Sequence, residues 1–215
     1  MNTLSDFVLI AVILTNLVLL GVGRLRLSIR LVAAQGMALG LMPLLVSGGL
    51  AINLWIVAAG SFFLKGLVFP ALLLRAMRLA NVRREAAPIV GYTASMVLGV
   101  ALLAFSFWTA SRFVLPPDIH VVSDLALPTA LATILCGLFL LITRRQALMQ
   151  VLGYLVLENG IFLFGVALAH EEPLMVEMGI LLDVFVAVFV MGIIVFHISR
   201  EFDHIDVEKL SQLKG

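Results

Sequence analysis

Charge is scarce in this chain and cysteine is almost absent. Only 13% of its 215 residues are Asp, Glu, Lys or Arg, whereas soluble domains carry about 25%. With 62% hydrophobic residues and a mean hydropathy of +1.16, the solvent for this fold is largely lipid, and a soluble globular domain is excluded. The single cysteine, Cys136, rules out an internal disulfide and any CxxC-type metal site. A metal would have to rely on His and carboxylates. No Gly-rich phosphate loop follows a strand and no long soluble domain is present, so nucleotide, flavin or iron–sulfur chemistry has to belong to another chain.

What is present is a series of long apolar runs. A helix needs about 20 mainly apolar residues to cross the hydrocarbon core, and it satisfies its own backbone polar groups there. Seven stretches qualify, approximately 4–23, 29–49, 52–75, 88–111, 125–143, 147–169 and 174–198. The expected fold is all-α, a polytopic integral membrane protein with about seven transmembrane helices. Ser47-Gly48-Gly49 is the turn signal that divides the uncharged run from Leu31 to Leu64. The first run, Phe7 to Gly23, is preceded by Asp6 and followed by Arg24, Arg26 and Arg30 in place of a small-residue cleavage site, so it is expected to stay as a spanning helix.

Lys and Arg in short connections remain preferentially on the cytoplasmic side. Of the 14 basic residues, 12 fall on one side when the helices alternate: Arg24, Arg26 and Arg30; Arg75, Arg78, Arg83 and Arg84; Arg144 and Arg145; Arg200, Lys209 and Lys214. Arg112 alone falls on the other. The expected topology has the amino terminus outside and the carboxyl terminus in the cytoplasm of a bacterial or archaeal cytoplasmic (inner) membrane. The chain then divides into a four-helix membrane region (1–124), a three-helix region (125–198) and a cytoplasmic polar tail (199–215). The tail is open to two readings, a solvated end or a docking segment for a cytoplasmic partner.

An ionisable side chain near the bilayer centre is costly and marks function by default. Lys65, Glu158 and Asp183 are such residues. Glu158 lies about 12 residues from Gln146, roughly 18 Å along its helix, and Asp183 about 14 residues from His197, roughly 21 Å. Lys65 lies ten residues from Arg75, roughly 15 Å. Alternating acids and base are thus expected at one depth. Burial favours the neutral form of a carboxyl and a nearby ammonium favours its anion, so moving the partner changes proton affinity. Lateral proton transfer is one reading. A permanently neutral, hydrogen-bonded glutamate and a lysine that neutralises a neighbouring subunit are the others. Glu177, about one turn into the last helix, reaches the outer interface by snorkelling and is a candidate path end.

Gly179 and Ala187, at i−4 and i+4 from Asp183, would admit another helix or water. Gly36-x-x-x-Gly40 suits close helix packing. His120, His170, His197 and His204 fall near helix ends or in connections without metal-ligand spacing, so no metal is expected.

Gly153-Tyr154-Leu155-Val156-Leu157-Glu158-Asn159-Gly160, followed by Leu174-Met175-Val176-Glu177-Met178-Gly179-Ile180-Leu181-Leu182-Asp183, resembles the K-type membrane subunit of respiratory complex I. That similarity covers about 125–198. The four preceding helices, Phe63-Leu64-Lys65-Gly66 and the ending Leu210-Ser211-Gln212-Leu213-Lys214-Gly215 resemble the E component of hydrogenase-4 and its formate hydrogenlyase relatives, across essentially the whole chain.

By resemblance, Glu158 matches the first helix-centre glutamate of the K-type subunit and Asp183 takes the place of the second, one methylene shorter. The implied role is a non-catalytic membrane subunit of a group 4 membrane-bound [NiFe]-hydrogenase. The NiFe centre and iron–sulfur clusters would sit on partner subunits, with no cofactor in this chain. The implied partners are antiporter-like and other membrane subunits and a cytoplasmic hydrogenase arm, in contact with lipid and without nucleic acid. A K-like subunit of a multisubunit cation/proton antiporter and a purely structural membrane anchor are the alternatives.

Overall fold

The computed structural model describes residues 3–47, 52–79, 89–113 and 123–168. They form α1 (Thr3–Gly21), α2 (Leu25–Gly40), a short α3 (Met42–Ser47), α4 (Ile52–Phe63), α5 (Phe69–Leu79), α6 (Tyr92–Ala110), α7 (Ala126–Thr143) and α8 (Ala147–Leu168). Six spans among the described residues are long and apolar enough to cross a membrane, so this is an all-α, multi-pass membrane protein. They follow the first six expected stretches, with shifts of a few residues at their ends. The seventh, 174–198, lies outside the described residues, as do the Ser47-Gly48-Gly49 turn beyond Ser47 and all four histidines.

The third span is not one regular helix. Between α4 and α5, Leu64–Val68 forms a π-helical turn whose closing bond runs from the Phe69 N–H to the Leu64 carbonyl. Pro70 explains the irregularity. It has no N–H to give to the Gly66 carbonyl four residues back, and its ring crowds that carbonyl, so the regular ladder cannot continue through this turn. A π-turn inside a helix is rare and frequently marks a functional position. Lys65 lies in it.

The parallel helices α1 and α7 are tied together at both ends. Ser123 donates to Asp6 at 2.5 Å beside the start of α1, and at the other end Arg144, just after α7, donates to the Leu20 carbonyl near the end of α1 at 2.7 Å. Arg144 is only 1% exposed and lies 5.2 Å from the Tyr92 ring. Burial pushes its pKa below the ordinary arginine value. The sequence marks it as a solvated loop charge; the structure makes it a bolt between α1 and α7, where a cation suits two helix carboxyl ends.

The antiparallel α7 and α8 approach backbone to backbone. A Cβ on Gly153 would come within 2.7 Å of the Leu141 nitrogen, and one on Gly160 within 2.6 Å of the Ile134 nitrogen. Small residues let membrane helices meet this closely, where dispersion and backbone contact drive association in place of a hydrophobic effect. By contrast α6 buries only Ser95, Gly99 and Ser106. Most of the rest of its surface, including Val97, Val100 and Trp108, is exposed.

Burial is layered along the bundle. One apolar cluster, with Leu20, Ile29, Leu73, Leu152 and Val156, occupies the half nearer the arginine-rich connections. A second, with Leu9, Leu39, Ala130 and Leu163, occupies the opposite half. Between them the buried side chains include Asn16, Gln35, Lys65, Thr133, Glu158 and Asn159.

Candidate functional site

Lys65 and Glu158 meet in this polar layer. The ammonium of Lys65 donates to Glu158 Oε1 at 2.6 Å, and the residues are 4% and 1% exposed. The Lys65 Nζ also lies 4.5 Å from the centroid of Phe162, one turn beyond Glu158 on α8. An aromatic face supplies attraction to a cation that has lost its water. Of the residues expected at one depth from counting 1.5 Å per residue, Lys65 in the π-turn and Glu158 at the centre of α8 are in direct contact.

Glycine makes the approach possible. A Cβ on Gly36 would stand 2.7 Å from the Lys65 Cβ, and one on Gly40 would stand 3.2 Å from the Phe62 nitrogen. The Gly36-x-x-x-Gly40 face of α2 is therefore the surface against which α4 and the π-turn are seated, as its spacing suggests.

Asp183 and Glu177 lie outside the described residues, so of the four candidate residues the structure brings together Lys65 and Glu158. Beside the pair lies a small pocket lined by Lys65, Glu158 and Asn159 together with apolar side chains such as Val32, Phe69 and Leu155.

Four uncharged residues complete the layer. Asn159 donates to Gln35 Oε1 at 3.4 Å, Gln35 donates to Asn16 Oδ1 at 2.8 Å, and Asn16 donates to Thr133 Oγ1 at 2.8 Å. Thr133 in turn donates to the Thr129 carbonyl at 2.7 Å. The chain crosses α8, α2, α1 and α7 in one plane. These residues are hard to find from sequence, because a lone amide or hydroxyl in an apolar run lacks the large cost that flags a charge. The available signal was that Asn16 and Gln35 interrupt otherwise apolar helical stretches.

A buried ion pair in low dielectric is sensitive to small displacements, since its attraction grows as water is removed. Its two members can trade one proton, and a change in their separation alters which one holds it. Apolar clusters flank this polar layer on both sides along the bundle axis.

Residues 125–215 match the family model described as NADH-ubiquinone/plastoquinone oxidoreductase chain 4L. The chain is 36% identical to an uncharacterized protein of Mycobacterium tuberculosis, over 99% of this chain and 97% of that protein. It is 32% identical to hydrogenase-4 component E of Escherichia coli and to that of Shigella flexneri, over 94% of this chain and 93% of each. No solved structure matches it. Near-complete coverage in both directions, together with the chain 4L match over the last helices, means that the chain belongs to the hydrogenase-4 component E family.

Proposed function

We propose that this chain is a membrane subunit of a group 4 membrane-bound [NiFe]-hydrogenase or formate hydrogenlyase-type complex, and that Lys65 and Glu158 relay protons laterally, coupled to redox chemistry on other subunits. Asp183 is the next station and Glu177 the end of the path toward the outer face. The observation that carries this reading is the 2.6 Å ion pair buried between a π-turn and a mid-helix glutamate. A lone cysteine gives this chain no thiolate set for an iron–sulfur cluster or a NiFe centre. Those groups belong on a cytoplasmic arm, docked at the face that carries Arg24, Arg26, Arg30, Arg144 and Arg145.

In this reading, redox-driven movement of the π-turn changes the separation of Lys65 from Glu158 and so the proton affinity of each. A proton leaves toward Asp183 when the pair opens and is replaced when it closes. Glu158→Gln tests this, because it keeps shape and hydrogen bonding while removing titration. The variant complex is expected to assemble and to keep hydrogen chemistry with an artificial electron carrier, while proton movement into sealed vesicles is lost. Equal translocation by wild type and variant would make Glu158 a structural group and the chain an anchor.

A further inference from the structure

The amide chain beside the ion pair has a direction, and the direction is fixed from its far end. Thr133 has one hydroxyl proton, and it is spent on the Thr129 carbonyl. Its oxygen can then only accept, so Asn16 must present its NH2 to it. The Asn16 carbonyl is thereby turned to Gln35 and takes the Gln35 NH2. The Gln35 carbonyl is turned in the same way to Asn159 and takes the Asn159 NH2. Flipping any one amide would set two donors or two acceptors against each other. The orientation therefore propagates from α7 to α8 and leaves the carbonyl oxygen of Asn159 as the terminal acceptor.

Asn159 lines the pocket that also contains Lys65 and Glu158, and that pocket has room for about one water molecule. A buried water needs two to four polar partners; Lys65, Glu158 and Asn159, which line the pocket, carry an ammonium, a carboxylate and an amide. Aligned hydrogen bonds polarise one another, so the terminal carbonyl is a better acceptor than an isolated amide.

We propose that the Asn159–Gln35–Asn16–Thr133 chain is a positioning device for the relay pair: anchored at Thr133, it holds the Asn159 carbonyl as an acceptor that orders a pocket water beside the directly bonded Lys65 and Glu158, and so sets the proton affinity of Glu158. This inference rests on the relay reading of Glu158. The amides themselves carry no titratable proton; they act through Asn159.

Among the described residues, the titratable groups around Glu158 are few. The π-turn contributes Lys65 and α8 contributes Tyr154 one turn away, electrostatically coupled to Glu158. The remaining candidates are Cys136 of α7, Arg26 and Arg30 of α2, Arg75 and Arg78 of α5, and Asp6 of α1. The amide chain contributes no charge of its own, so a change in it isolates the effect of orientation.

The test is an infrared titration of the assembled complex, reading the carboxyl stretch of Glu158, assigned by its loss in Glu158→Gln. Thr133→Val keeps the shape and removes the hydroxyl that sets the direction. It is expected to move the titration midpoint by about half a pH unit or more and to slow proton movement several-fold, with Thr133→Ser restoring both. Should Thr133→Val fail to assemble, Asn159→Met removes the terminal carbonyl and leaves the Gln35–Asn16–Thr133 bonds in place; the same shift is expected. A Glu158 band with the wild-type midpoint in the variant that assembles overturns this inference alone. A wild-type Glu158 band that does not change with pH overturns the relay reading as well.

Discussion

A methyl group on Gly36 would come within 2.7 Å of the Cβ of Lys65. The clash is with the root of the lysine side chain rather than its flexible end, so relief requires α2 or the π-turn to move. Gly36→Ala is therefore expected to push Lys65 away from Glu158 and to cost about 1–3 kcal/mol through overpacking. A lower thermal midpoint of the purified complex, together with reduced proton movement, checks this. Unchanged values would mean that the π-turn yields without disturbing the pair.

The distribution of basic residues predicts on which side the polar tail emerges. A reporter fused after Gly215 is expected to be active in the cytoplasm, with 12 of 14 basic residues on that side. The structure supports the alternation that the count requires, since Ser123 meets Asp6 at one end of the α1–α7 pair and Arg144 meets Leu20 at the other. Activity of the fusion confined to the periplasm would overturn the orientation.

Much of this architecture is legible in sequence because lipid imposes simple rules. Each of the six described spans coincides with an apolar stretch, and Lys65 and Glu158 stand out because a charge in hydrocarbon is costly wherever it lies. Counting residues could place the pair at one depth but could not make them touch. Contact depends on the break at Pro70 and the notch at Gly36, which a helical rise of constant pitch does not describe. Asn16, Gln35 and Thr133 were less legible still, since each is unremarkable alone and significant only through its partner on another helix.

Arg144 illustrates the opposite failure, a residue whose sequence setting suggests water and whose structural setting is dry. It holds α1 to α7 by one bond to the Leu20 carbonyl and lies against the Tyr92 ring. Lysine at this position has no planar guanidinium to stack there and presents a more strongly hydrated charge. Arg144→Lys is expected to destabilise the subunit by about 1–2 kcal/mol, read as a lower thermal midpoint in detergent. A midpoint equal to wild type would show that positive charge alone suffices.

Stability and proton transfer can be separated at the ion pair itself. Lys65→Met leaves a carboxylate buried beside Phe162 without its ammonium, and breaking a buried pair by removing one partner costs about 3–5 kcal/mol. The single variant is expected to give little assembled complex, unlike Glu158→Gln, whose side-chain carbonyl still accepts from the Lys65 ammonium. Replacing both members, Lys65→Met with Glu158→Gln, leaves no charge in the layer, and removal of a whole buried pair is often neutral or stabilising. The double variant is therefore expected to recover assembly and hydrogen chemistry with an artificial electron carrier, while proton movement in sealed vesicles stays absent. Recovery of assembly without proton movement is the signature of a pair kept for transfer, because a pair kept for packing would be dispensable in both measurements. Proton movement at the wild-type rate in the double variant would remove Lys65 and Glu158 from the path together.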